Sequence, residues 1–245
     1  GYALGGYTGA EVATADRITF STSATAASTA SNLSQARYGS AGVSDASVYG
    51  YAMGGANVGG AVATTDRITF STSAAAASTV SNLATARYYS AGISDGAVYG
   101  YAMGGYSTAY TNVTDRLTFS TSAVAASTVS NLSTIRGNLP GVSDGAVYGY
   151  AMGGTSGTGV TTTDRIAFST SITAASTASN LSSARINNAG MSDGAVYGYA
   201  LGGSTGAVVA TADRITFSTS ATAASTASNL SQARQTAAGL SDGAV

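Results

Sequence analysis

All but one of the ionisable carboxylate and guanidinium side chains in this chain belong to a pattern that recurs five times. Ten basic residues, all Arg, stand against eleven acids, of which only Glu11 is not Asp. An Asp-Arg dipeptide begins at Asp16, Asp66, Asp115, Asp164 and Asp213, and a second Arg follows at Arg37, Arg87, Arg136, Arg185 and Arg234. The remaining Asp sit in Ser-Asp pairs, mostly Ser-Asp-Gly. Such groups could move protons, hold a cation or pair with one another. The first use lacks its usual companions: the chain has no His and no Cys, which removes nucleophilic triads, thiolate chemistry and the common zinc ligand sets. Glycoside hydrolysis would need two acids in one cleft, and calcium needs about six to eight oxygens, whereas each Asp loop offers one carboxylate. A reaction centre also needs distinct groups converging once, and these recur in symmetric positions. The chain is therefore expected not to be an enzyme and to use no cofactor or metal. The Asp of each Asp-Arg pair is read as a turn cap beside a surface or inter-unit Arg, in pairs contributing about 0–1 kcal/mol each. The Asp of each Ser-Asp pair is read as a turn former.

The residues that do not repeat are the candidates for binding. They fall in two patches, one after each Gly-Gly doublet and one after the second Arg of each unit. Tyr7, Glu11, Tyr38, Asn57, Tyr88, Tyr89, Tyr106, Tyr110, Asn112, Asn138, Asn187, Asn188 and Gln235 collect there. Tyr, Asn and Gly make up adaptable recognition surfaces, because Tyr offers large rigid contact area and Asn offers hydrogen bonds of either sense. Drift of solvated loops would give the same pattern.

The elements that position these residues follow from five units of about 49 residues that fill the 245-residue chain. A period of this size marks units that bury their apolar faces only against one another, so residues 1–245 read as one domain. Asp-Gly between β-prone runs predicts a tight hairpin. Along Tyr99 to Met103, bulky side chains face one side and small ones the other, which suits sheets stacked face to face. Asp-Arg-Ile-Thr-Phe reads as a third strand and the Ala/Ser/Thr run as a fourth, although its Ala content would also suit helix. The Gly-Gly doublets precede a strand, not a helix, so they are read as places of close backbone approach, not phosphate loops. The expected architecture is an all-β, five-bladed β-propeller with four antiparallel strands per blade. The C-terminal segment 238–245 is expected to pair with Gly1–Gly6 and close the ring, with both variable patches on one face.

Arg-x-x-x-Ala-Gly, then Ser-Asp-Gly, an aromatic strand ending in Gly-Gly and Asp-Arg-Ile-x-Phe resembles the kelch repeat across all five units. GYAMGG, TDRITFST and NLSxAR are similar to kelch-like repeats of bacteriophage tail and virion proteins and of some bacterial surface proteins. The absence of Trp departs from that pattern, with Ala26 and Ala27 near its usual place. The resemblance implies a virion or cell-surface protein. It would recognise a host glycan or envelope component through its loop face, or decorate an assembly through protein contacts. A formal charge of −1 with no basic stripe argues against nucleic acid, and no run of 18 apolar residues suggests a membrane span.

Overall fold

The computed structural model describes residues 1–19, 24–27, 32–72, 74–78, 82–126, 131–170, 172–175, 180–224 and 229–239. The described residues form an all-β protein without helix. The first sheet contains β1 (Tyr2–Tyr7), β2 (Glu11–Thr19) and β3 (Ala24–Ala27). The second begins with β4 (Ala41–Ser44) and β5 (Tyr49–Met53), throws out a ribbon of β6 (Ala56–Asn57) and β7 (Gly60–Ala61), and ends with β8 (Thr65–Thr69) and β9 (Ala74–Ser78). The third holds β10 (Ala91–Ser94), β11 (Tyr99–Met103), β12 (Thr114–Thr118) and β13 (Ala123–Ala126). The fourth holds β14 (Gly141–Ser143), β15 (Tyr148–Met152), β16 (Thr163–Ala167) and β17 (Ile172–Ala175). The fifth holds β18 (Ala189–Ser192), β19 (Tyr197–Leu201), β20 (Ala212–Thr216) and β21 (Ala221–Ala224). In each sheet the strands follow chain order and are antiparallel. The Ala-rich run therefore pairs as strand, with Arg116 opposite Ala125.

The link between the first two strands of each four-stranded sheet is wider than the two-residue primed turn that Asp-Gly suggests. In the third sheet one Asp95 oxygen accepts the N–H groups of Ala97, Val98 and Tyr99 at 2.8–2.9 Å, so the loop winds round a carboxylate. Gly96 has φ +73°, and in the second sheet Ala46 takes the same position at φ 61°. Burial pushes the Asp45 carboxyl up, but the N–H groups of Tyr49, Ser47 and Val48 outweigh it and hold it below the ordinary carboxylate range.

The core lies between successive sheets. Tyr51 stacks on Phe119, Tyr101 on Phe168 and Tyr150 on Phe217, with ring centres 5.6–5.8 Å apart, and Tyr2 meets Phe70 in the same way. Val43 of one sheet covers Gly100 of the next, Ile93 covers Gly149 and Val142 covers Gly198. The first strands also touch: a Cβ at Gly92 would fall on the Gly42 carbonyl, one at Gly141 on that of Gly92, and one at Gly239 on that of Gly190. Gly42, Gly92, Gly141, Gly190 and Gly239 line a single cavity of about 600 Å³, which Gly1, Tyr2 and Leu4 share.

In four of the five repeats the Asp of the Asp-Arg dipeptide is a buried ion-pair partner, not a turn cap; Asp16 alone is exposed. Asp66 is fully buried and paired at 3.0 Å with Arg37, which comes from the end of the preceding repeat. Arg87 pairs with Asp115, Arg136 with Asp164 and Arg185 with Asp213 at 2.8–3.0 Å, all with no solvent exposure. A full ion pair is stable there because the guanidinium has a second partner: the Arg37 Nη2 donates to the Ala52 carbonyl at 3.0 Å, and Ser34 N–H and Oγ add to the Asp66 carboxylate. Burial lowers the Arg37, Arg87, Arg136 and Arg185 proton affinities, and the adjacent carboxylates offset part of that. The Arg of the dipeptide lies elsewhere, with the Arg67 guanidinium carbon 4.6 Å from the Tyr49 ring centre.

Four sheet-to-sheet junctions thus repeat one design. Where a fifth junction would join the last sheet to the first, Arg234 and Asp16 are both exposed and make no ion pair among the described residues, and Tyr199 is only half-buried. Among the described residues β1 is an edge of its three-stranded sheet. Of the segment expected to cover it, residues 240–245 lie outside the described residues.

Candidate functional site

The two variable patches meet through backbone hydrogen bonds. Tyr38 and Ala56 exchange N–H···O bonds at 2.9–3.0 Å, and Tyr88 with Tyr106, Gly137 with Thr155 and Ile186 with Ser204 do the same. Each bridge joins the residue after the buried Arg to the residue after the next Gly-Gly, so both patches lie together.

One residue further along, the chain turns left-handed in every repeat. Gly39 has φ +68°, and Tyr89, Asn138, Asn187 and Thr236 have φ of 54–58°. These residues form a head-to-tail chain: Tyr89 N–H donates to Gly39 O at 2.8 Å, Asn138 to Tyr89 at 3.0 Å, Asn187 to Asn138 at 3.3 Å and Thr236 to Asn187 at 2.8 Å. Gly and Asn adopt this conformation readily, whereas Tyr89 and Thr236 each cost on the order of 1 kcal/mol or more, a strain that the arc of hydrogen bonds holds in place. The arc surrounds a depression of about 220 Å³ lined by Tyr89, Ser90, Asn138, Leu139, Asn187 and Asn188 together with Gly39, Ser40, Thr236 and Ala237. Every lining side chain is uncharged.

The tyrosines assemble beside it. Tyr7 touches Tyr38 at 5.9 Å between ring centres, Tyr38 touches Tyr88 at 5.9 Å and Tyr89 at 6.0 Å, Tyr88 touches Tyr106 at 5.6 Å, and Tyr106 touches Tyr110 at 4.9 Å. Six rings from the first three repeats thus form one continuous row, in which Tyr7 and Tyr89 are 64% and 38% exposed. Burial raises the Tyr88 and Tyr89 phenol pKa values and neighbouring Tyr rings add to it, so both stay neutral through physiological pH. Asn138, Asn187 and Asn188 come from the fourth and fifth repeats, and Tyr89 belongs to both the row and the depression.

The other expected site residues do different work. Asn112 Nδ2 donates to the Leu132 carbonyl at 3.2 Å and braces its loop. Asn57 accepts from Gly59 N–H and donates to Gln35, again within the loop framework. Glu11 sits opposite Tyr7 on β2, and Gln235 is exposed beside Thr236. Thr236 lines the depression although residue type did not single it out; its register with Gly39, Asn138 and Asn187 is the sequence signal that would have. Among the described residues no three His, Cys, Asp or Glu side chains gather as a metal site, and no helix is long and apolar enough to cross a membrane. No protein-family model matches the chain, and no curated protein matches it.

Proposed function

We propose that the chain is a five-bladed β-propeller of kelch-like repeats, and that it serves as a non-enzymatic binding module. Its loop face would contact a glycan or another envelope component at a cell surface, in a virion or surface-protein setting. The observation that carries this reading is the unbroken row of six tyrosines lying against an amide-lined, uncharged depression. Aromatic rings cover the apolar faces of sugars, and Asn side chains bond hydroxyls as donor or acceptor. Meander sheets whose first strands share one cavity support the propeller reading. Single sites of this kind bind weakly and gain strength when presented in several copies.

A second reading is a structural or decorating disc that binds neighbouring proteins. Val48, Val98, Val147 and Val196, each 40–49% exposed beside the Ser-Asp turns, favour it by offering apolar contacts. A glycan array probed with the chain as a streptavidin-linked multimer separates the two. Signal that disappears when Tyr88 and Tyr106 are changed to Ala is expected for recognition, and a blank array counts against it.

A further inference from the structure

At one end of the tyrosine row, two rings face each other across a turn. Tyr106 and Tyr110 stand opposite on antiparallel backbone. The bonds that flank them, Thr111 N–H to the Gly105 carbonyl at 3.0 Å and Ser107 N–H to the Ala109 carbonyl at 3.1 Å, leave the pair itself without a bond between them. A non-hydrogen-bonded pair of this kind brings its two side chains closer than the bonded pairs beside it. The ring centres lie 4.9 Å apart, with the planes at 67°. In the next two repeats the same bridge carries Thr155 with Gly159 and Ser204 with Val208, so the aromatic pair belongs to the third repeat.

Two phenols joined through their ortho carbons have ring centres only slightly closer than this, and their planes are twisted well away from flat. Other tyrosine contacts fit that geometry less well. Tyr49 with Tyr51, Tyr99 with Tyr101 and Tyr197 with Tyr199 are 6.4–6.5 Å apart along one strand, and the remaining contacts between repeats in the row are 5.6–6.0 Å. Tyr88 and Tyr89 lie at 4.7 Å, but they are consecutive, and Tyr89 is pinned in left-handed backbone. A bond between those two would close a strained ring through a single peptide unit. Tyr106 and Tyr110 are both half-buried, so solvent reaches them and can carry protons away. The chain has no Trp and no Cys to be oxidised in their place, and Met takes up oxygen instead of coupling.

We propose that Tyr106 and Tyr110 form an oxidative modification site, at which hydrogen peroxide acting through a haem peroxidase joins them as dityrosine. Each phenol gives up one electron and one proton. The two phenoxyl radicals form a bond between ring carbons ortho to oxygen, and the displaced ring hydrogens return to the oxygens. One peroxide accepts both electrons and both protons and leaves as two waters. The bond staples the turn and fixes two of the six rings in the row, whatever that face recognises. The test treats the folded full chain with hydrogen peroxide and a haem peroxidase, isolates the monomer and cleaves it after Arg. The monomer is expected to gain the blue fluorescence of a biphenol, and the segment 88–116 to become two hydrogens lighter, with fragment masses tying Tyr106 to Tyr110. Y106F and Y110F keep a ring but lack the phenol, and each is expected to lose both signals, whereas Y89F keeps both. The proposal is overturned if the monomer stays dark, if the bond maps to Tyr88 and Tyr89 or to any other pair, or if Y110F keeps the signals. It is overturned as well if the chain unfolded in urea couples these two rings as readily as the folded chain.

Discussion

A guanidinium and a carboxylate with no exposure at all make the junctions between sheets sensitive to single substitutions. Removing one partner of such a pair strands the other charge in a low-dielectric interior, which typically costs about 3–5 kcal/mol, whereas replacing both with apolar groups of similar volume is often near neutral. Asp115→Ala would leave Arg87 with only the Ala102 and Thr85 carbonyls. It is expected to destabilise by about 3–5 kcal/mol in urea titration, and Arg87→Met combined with Asp115→Leu by clearly less than the two single changes together. A cost below about 1 kcal/mol for Asp115→Ala would put the pair in the class of surface ion pairs. The carboxylate geometry sharpens this expectation, because Asp115 Oδ2 takes Arg87 and the Ala84 N–H while its Oδ1 has no partner. The whole worth of the carboxylate is concentrated in one oxygen.

At the level of strands and turns, glycines divide into those packed tightly against another part of their own repeat and those that only turn the chain. Gly104 has φ +64°, and a Cβ there would stand 2.5 Å from the Arg136 carbonyl and 2.7 Å from Leu132 Cδ1. Gly96 has φ +73°, but a Cβ there would meet only the Gly145 carbonyl at an ordinary 3.4 Å, and the second repeat already places Ala46 at its counterpart. Gly104→Ala is therefore expected to destabilise by about 2 kcal/mol or more, through strain and overpacking together, and Gly96→Ala by about 1 kcal/mol. Differential scanning calorimetry of the two variants checks the order, and equal losses would contradict it. The contrast shows how far the sequence could be read. The Gly-Gly doublets, the alternation from Tyr99 to Met103 and the Asp-Arg-Ile strand are local signals, and local signals specify strands. The buried pairs join residues 28 or 29 positions apart in different repeats, so nothing near Asp66 announces Arg37. The arc was half legible, since Gly39, Asn138 and Asn187 are residue types that favour left-handed backbone, but Tyr89 and Thr236 adopt it only because neighbouring repeats bond them there. Asn188 could be named as a candidate from its type; that its amide is buried without a partner is a property of the folded surroundings.

For the molecule as a whole, the question is whether the fifth junction is sealed like the other four. Gly239 rests on Gly190 as each earlier glycine rests on its predecessor, and Gly1 and Tyr2 line the same cavity as Gly239, which brings both ends of the described chain to one place. Against this, Arg234 and Asp16 are exposed, where their counterparts are buried ion pairs. The two arrangements differ in what a single Arg is worth. In a closed propeller Arg234 would enter the same buried environment as Arg136, so Arg234→Ala and Arg136→Ala should destabilise alike, by about 3–5 kcal/mol. In an arc that stays open, Arg234→Ala would change stability by less than about 0.5 kcal/mol, as surface substitutions usually do, while Arg136→Ala would keep its full cost. Closure as part of the five-bladed proposal predicts the first outcome, and chemical denaturation of the two variants side by side decides it. The same comparison bears on the loop face: Thr236 carries the last carbonyl of the hydrogen-bonded arc and Gly39 its first N–H, so sealing the junction would let these two bond and turn the rim of the Asn188 depression from an arc into a ring.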